Sequence, residues 1–78
     1  LALVTQFERD EREFRSLHPT QVVCKYLVSE SGGKKVLQLN TYGSAERDMP
    51  DKLSQTLQFD ENSARQLLAI LNKEFGNA

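Results

Sequence analysis

Seventy-eight residues and 8.9 kDa allow one small domain, spanning 1–78, whose core is small for the surface it must stabilise. With 38% hydrophobic and 27% charged residues the composition is that of a folded globular chain, not a disordered one. Ten Lys and Arg against eleven Asp and Glu give a net charge of −1, which removes a global basic excess as an argument for nucleic-acid or membrane binding.

No apolar run approaches the length of a membrane helix, and the start, LALVTQFERDER, becomes charged too soon for a secretory signal. The chain therefore reads as soluble and cytoplasmic, with no membrane partner. One cysteine, Cys24, leaves neither an internal disulfide nor a zinc site to hold the fold. A subunit interface is then the expected way to enlarge the core, and a homodimer the expected state.

Residues 1–20 read as an N-terminal helix or charged arm. Within TQFERDEREFRS and its flanks, Leu3, Phe7, Phe14 and Leu17 form a thin apolar stripe, and Thr5 with Glu8 matches a capping box. His18-Pro19 ends it, because proline disfavours helix in the residue before it. The alternative is an arm without regular structure.

Antiparallel strands fill 21–59. QVVCKYLVS (21–29) and KVLQLNTY (35–42) are rich in β-branched and aromatic residues. Between them, Gly32-Gly33 supplies the positive φ angles of a tight hairpin. A polar segment, GSAERDMPD, leaves room for part of a fourth strand. LSQTLQF (53–59) then alternates, with Leu53, Leu57 and Phe59 on one face and Ser54, Thr56 and Gln58 on the other.

The C-terminal helix occupies 60–75, capped by Asp60 and closed by Gly76. Ala64, Leu67, Leu68, Leu71 and Phe75 form a stripe that must be buried, and Ile70 beside it widens the apolar face toward a subunit contact. The fold class is thus α+β, a three- to four-stranded antiparallel sheet packed against a C-terminal helix.

Catalytic signals are thin, and the chain reads as a non-enzyme. His18 is the only histidine, and Cys24 sits in an apolar run where a thiol behaves as a core hydrophobe. Glu46, Asp48 and Asp51 lack the ordered spacing of a calcium loop, so no metal and no cofactor are expected. What remains is a binding surface. Gln38, Asn40 and Tyr42 share a strand face, and Ser54, Thr56 and Gln58 form a second uncharged polar row. The basic residues outnumber the acidic locally in 18–45, with Lys25, Lys34 and Lys35 against Glu30. Lysines for phosphates and tyrosines for stacking are the combination that single-strand binding uses. Lys25, Tyr26, Lys34, Lys35, Tyr42 and Lys52 are the candidate nucleic-acid-binding residues. The same rows also suit an ordinary solvated sheet face.

KYLVSESGGKKVLQLNTY followed by MPDKLSQTLQFDENSARQLLAIL resembles the positive-cofactor-four type transcriptional coactivators and their bacterial and phage relatives, over residues 25–71. The resemblance implies a homodimer that binds single-stranded DNA in transcription regulation or replication. In that frame Lys25 and Tyr26 lie on the first matched strand, Lys34 and Lys35 at its turn, Tyr42 at the end of the next and Lys52 at a Pro-Gly-Lys-like element. Leu67, Ile70 and Leu71 fall in the dimer helix. The sequence departs from the pattern at Asp51, where a glycine is expected, and at Gly43, where an aromatic residue is expected. The competing expectation is a protein-interaction or assembly module of a small bacterial or phage accessory protein, using the apolar helix, the charged N-terminal segment or a strand edge, with no nucleic-acid binding.

Overall fold

The hairpin forms where two β-branched runs flank a glycine pair. In the computed structural model, which describes residues 1–43 and 53–76, β2 (Cys24–Ser31) and β3 (Lys34–Tyr42) pair antiparallel from Cys24↔Thr41 to Ser31↔Lys34. Gly32 and Gly33 take φ of 59° and 76°, the left-handed values a two-residue turn of this hand demands. β4 (Leu53–Phe59) continues the sheet antiparallel to β3, with Leu39↔Leu57 and Leu37↔Phe59 in register. Thr41 opposes Gln55 while Tyr42 opposes Leu53, so Ser54 is the extra residue of a β-bulge.

A fourth strand is present, and it comes from the first residues of the chain. β1 (Ala2–Val4) runs parallel to β4, giving the sheet order β1-β4-β3-β2. The polar segment 43–52, where part of a fourth strand was expected, lies for the most part outside the described residues. Leu3 is thereby taken from the apolar stripe of the expected N-terminal helix, and that helix does not form: residues 5–23 carry neither helix nor strand. The reason is a set of contacts distant in sequence. The Thr5 carbonyl accepts from Asn62 Nδ2 at 3.4 Å and the Phe7 N–H donates to Gln66 Oε1 at 2.8 Å, fastening this stretch as extended chain along the C-terminal helix. Phe14 and Leu17, the rest of the stripe, then have nothing to pack on and stay exposed. The charged-arm alternative describes this segment.

The helix α1 (Glu61–Phe75) starts and stops where its caps dictate. Asp60 accepts from the Ser63 N–H at 2.8 Å, and the Ser63 hydroxyl donates back to the Asp60 carbonyl at 3.3 Å. The Gly76 N–H closes the other end on the Asn72 carbonyl at 3.0 Å, with extended rather than left-handed backbone. Ser63, in the first turn, is fully buried. Only the first half of the apolar stripe is covered: Ala64 and Leu67 are half-buried, whereas Leu68, Leu71 and Phe75 are exposed. The expectation that the whole stripe is buried fails within the single chain, because the helix runs on past its contacts with β3 and β4.

Among the described residues one apolar side chain, Phe59, is fully buried. It lies beside Leu37 and Val4 in the sheet register, and its ring stacks on Phe7 with centroids 6.0 Å apart. Cys24, expected in the core, is exposed on the first residue of β2.

Replacing Phe59 with alanine removes this contact and is expected to cost about 3–5 kcal/mol, measured by urea denaturation. The Asp60 carboxyl is held below the usual carboxylate range, chiefly by the Ser63 N–H. A depressed folded value means that the cap stabilises fully above the unfolded carboxylate range and is lost as pH falls through the folded value. Asp60→Ala is therefore expected to lower the melting temperature at neutral pH, with the gap to the parent chain narrowing in acid.

Candidate nucleic-acid interface

Strand alternation sorts the sheet into two faces. Tyr26, Val28, Leu37, Leu39, Leu57 and Phe59 lie on the face that carries the helix. Lys25, Leu27, Val36, Gln38, Asn40, Thr56 and Gln58 lie on the other, which the helix leaves open. The two uncharged rows noted in the sequence are one structure here. Gln58 Nε2 donates to Gln38 Oε1 at 2.9 Å, Gln38 Nε2 donates to Asn40 Oδ1 at 3.0 Å, and the Thr56 hydroxyl donates to the same Asn40 oxygen at 3.0 Å. Register explains the connection, since Gln38↔Gln58 and Asn40↔Thr56 are direct cross-strand pairs. Ser54 stands apart from the row because the bulge displaces it.

The row has direction. Asn40 Oδ1 accepts from two donors, and among the described residues its Nδ2 group and the carbonyl oxygen of Gln58 at the far end have no side-chain partner. Next to Asn40 in register stands Lys25, whose Nζ lies 4.9 Å from the centre of the Tyr42 ring. An ammonium group, an aromatic ring and an amide donor therefore meet at one end of an uncharged polar strip. These are a positive charge, a stacking surface and a hydrogen-bond donor side by side.

Of the six residues singled out from sequence, Lys25, Lys34 and Tyr42 belong to this open face. Tyr26 and Lys35 do not: each follows a face member by one residue, and alternation turns them to the helix side, where Tyr26 pairs with Leu39 and Lys35 with Glu30. Lys52 lies outside the described residues, as do Glu46, Asp48 and Asp51, the acidic group weighed as a cation site. Asn40, Gln38, Thr56 and Gln58 enter the site as its polar floor. Their alternation was visible in the sequence, but the pairing of β3 with β4 that joins them was not. Among the described residues no group of three His, Cys, Asp or Glu side chains is placed to hold a metal. His18 Nδ1 accepts from the Thr20 N–H at 3.1 Å, a local turn contact on the surface.

On the helix side, a groove lined by Val28, Lys35, Leu37, Phe59, Ala64 and Leu68 separates α1 from the hairpin. Of the residues expected in a dimer helix, Leu67 is half-buried, while Ile70 and Leu71 are exposed. No helix among the described residues is long and apolar enough to cross a membrane. Comparison with known proteins finds no match: no family model, curated protein or solved structure aligns significantly with the chain.

Asn40→Ala removes the acceptor of a buried hydroxyl, leaving Thr56, 9% exposed, without its partner. The expected loss is about 1–3 kcal/mol of folding stability in a urea titration, and Asn40→Ala/Thr56→Val is expected to recover part of it.

Proposed function

We propose that this chain is a small, non-enzymatic nucleic-acid-binding domain that engages single-stranded DNA through the open face of its sheet, as an accessory protein of transcription or replication. The observation that carries the reading is the convergence of Lys25, Tyr42 and Asn40 at one end of the hydrogen-bonded amide strip. A base stacks on the Tyr42 ring and displaces the Lys25 ammonium toward the adjoining phosphate, while the Asn40 amide donates to a base carbonyl. Lys34, on the same face at the hairpin turn, meets a second phosphate. Stacking and a short run of cations suit an unpaired strand, whose bases are free to turn onto the sheet; a duplex keeps its bases stacked inside.

The overall charge of −1 limits non-specific attraction, so binding depends on these few cations and is sensitive to salt. The second reading, a protein-assembly module, is favoured by a different observation, the apolar side chains left exposed on α1.

Fluorescence anisotropy of a labelled single-stranded oligonucleotide, with the matching duplex as control, separates the two. Preference for the single strand is expected, falling with added salt. Lys25→Ala/Lys34→Ala should weaken binding and reduce the salt slope by about 0.7 for each phosphate no longer neutralised. Tyr42→Ala should cost about 1–3 kcal/mol of binding. Absence of binding at low salt, or binding unchanged in the double lysine variant, sinks the nucleic-acid reading and leaves the assembly module.

A further inference from the structure

The sheet ends on one side in the three-residue β1 and on the other in β2, eight residues long and exposed along its whole length. An edge strand of that length offers a row of unpaired backbone N–H and C=O groups, and soluble chains usually guard it with proline, a bulge or outward charge. β2 has neither proline nor bulge. Its two charged residues stand near its ends: Lys25 lies over the Tyr42 ring, and Glu30 is opposite Lys35 in register without an ion pair between them. The middle of the edge is Tyr26-Leu27-Val28, all exposed, at 75%, 43% and 49%.

The total surface leaves room for an interface, with the exposed arm of residues 8–23 contributing to it as well as β2. The chain exposes 7329 Å², whereas a folded monomer of its mass exposes about 4,800 Å². The excess, about 2,500 Å², is more than the roughly 800 Å² that each partner contributes to a standard interface.

We propose that β2 pairs antiparallel with β2 of a second copy, centred on Leu27, to build one continuous eight-stranded sheet. A two-fold axis normal to the sheet keeps each face on its own side, so residues opposed across it must share a face. Centring on Leu27 sets Leu27 against Leu27 on the open face and Tyr26 against Val28, twice, on the helix face. Lys25 then opposes Ser29 and Cys24 opposes Glu30. Aromatic–β-branched pairs of this kind stabilise cross-strand contacts, and no like charges meet. Moving the centre by one residue loses the match: centring on Val28 sets Tyr26 against Glu30, and centring on Tyr26 sets Leu27 against Lys25. The pairing consumes the one long edge among the described residues and is isologous, so it closes at two copies. It also joins the two open faces side by side, but it does not depend on what those faces bind.

The test uses the full chain in a Cys24→Ser background. Opposed residues in an antiparallel pair have Cα atoms about 4.5–5.5 Å apart, within disulfide reach. Leu27→Cys is therefore expected to give a disulfide-linked dimer on mild oxidation, while Ile70→Cys, on the exposed helix, is not. By sedimentation the parent chain is expected to be a dimer, and Leu27→Lys, which opposes two cations at the axis, to weaken it at least about tenfold with an unchanged circular dichroism spectrum. A monomeric parent chain overturns the proposal. So does a dimer that cross-links through Ile70→Cys but not through Leu27→Cys, the outcome expected if the helices form the interface. Should Leu27→Lys fail to fold, the cross-linking pair decides alone.

Discussion

Phe59 is where the fold is tied together. It is the last residue of β4, it lies against Leu37 and Val4 in the sheet, and it receives the Phe7 ring from the N-terminal segment. The next residue, Asp60, caps the helix. One buried side chain thus fixes the end of the sheet, the start of α1 and the return of the first seven residues. So small a core explains both why Ala2–Val4 are drafted as a strand and why Thr5 and Phe7 are held by side chains of α1. Each adds contacts around a centre that the hairpin and helix alone cannot close.

The two faces of the sheet follow from the same constraint. With the helix held near Phe59, its first half covers the Leu37 and Phe59 end of one face, and the opposite face is left to polar pairs. Gln38, Asn40, Thr56 and Gln58 satisfy one another there, which lets a hydroxyl be buried at Thr56 without an apolar layer above it. The strip is therefore a structural solution first, and its amide group at Asn40 is a by-product available for recognition. Lys25 and Tyr42 stand at the end of that strip because Lys25 registers with Asn40 and Tyr42 closes β3 next to the bulge.

The elements whose signals are local were legible in the sequence. Gly32-Gly33 marked the turn, the alternation in 53–59 marked β4, and Asp60 with Gly76 bounded α1 to the residue. Elements that depend on a distant partner carry no such local signal. Ala2–Val4 is too short to announce itself as a strand and becomes one only against Leu57–Phe59. The stripe through Phe7 and Phe14 has helical spacing, yet Phe7 is claimed by Phe59 and Gln66, fifty residues and more away in the chain. The candidate site divides in the same manner. Gln38, Asn40 and Tyr42 share a face by simple alternation, whereas placing Tyr26 with Lys25, or Lys35 with Lys34, groups neighbours in sequence that a strand turns to opposite sides.

The helix is clamped at one end only. Around Ser63 it is capped by Asp60 and held by the arm through Asn62 and Gln66; from Leu68 onward its side chains are exposed, with Phe7, Glu8 and Arg9 of the arm bordering a groove along Ala69, Ile70 and Lys73. Its backbone hydrogen bonds are thus graded in protection. Those of the last turns have few packed neighbours and are the cheaper to open, and those near the buried Ser63 are the costlier. One short element thereby contains both the most and the least persistent parts of its own ladder, and its free end can reorganise without disturbing the strand that anchors it.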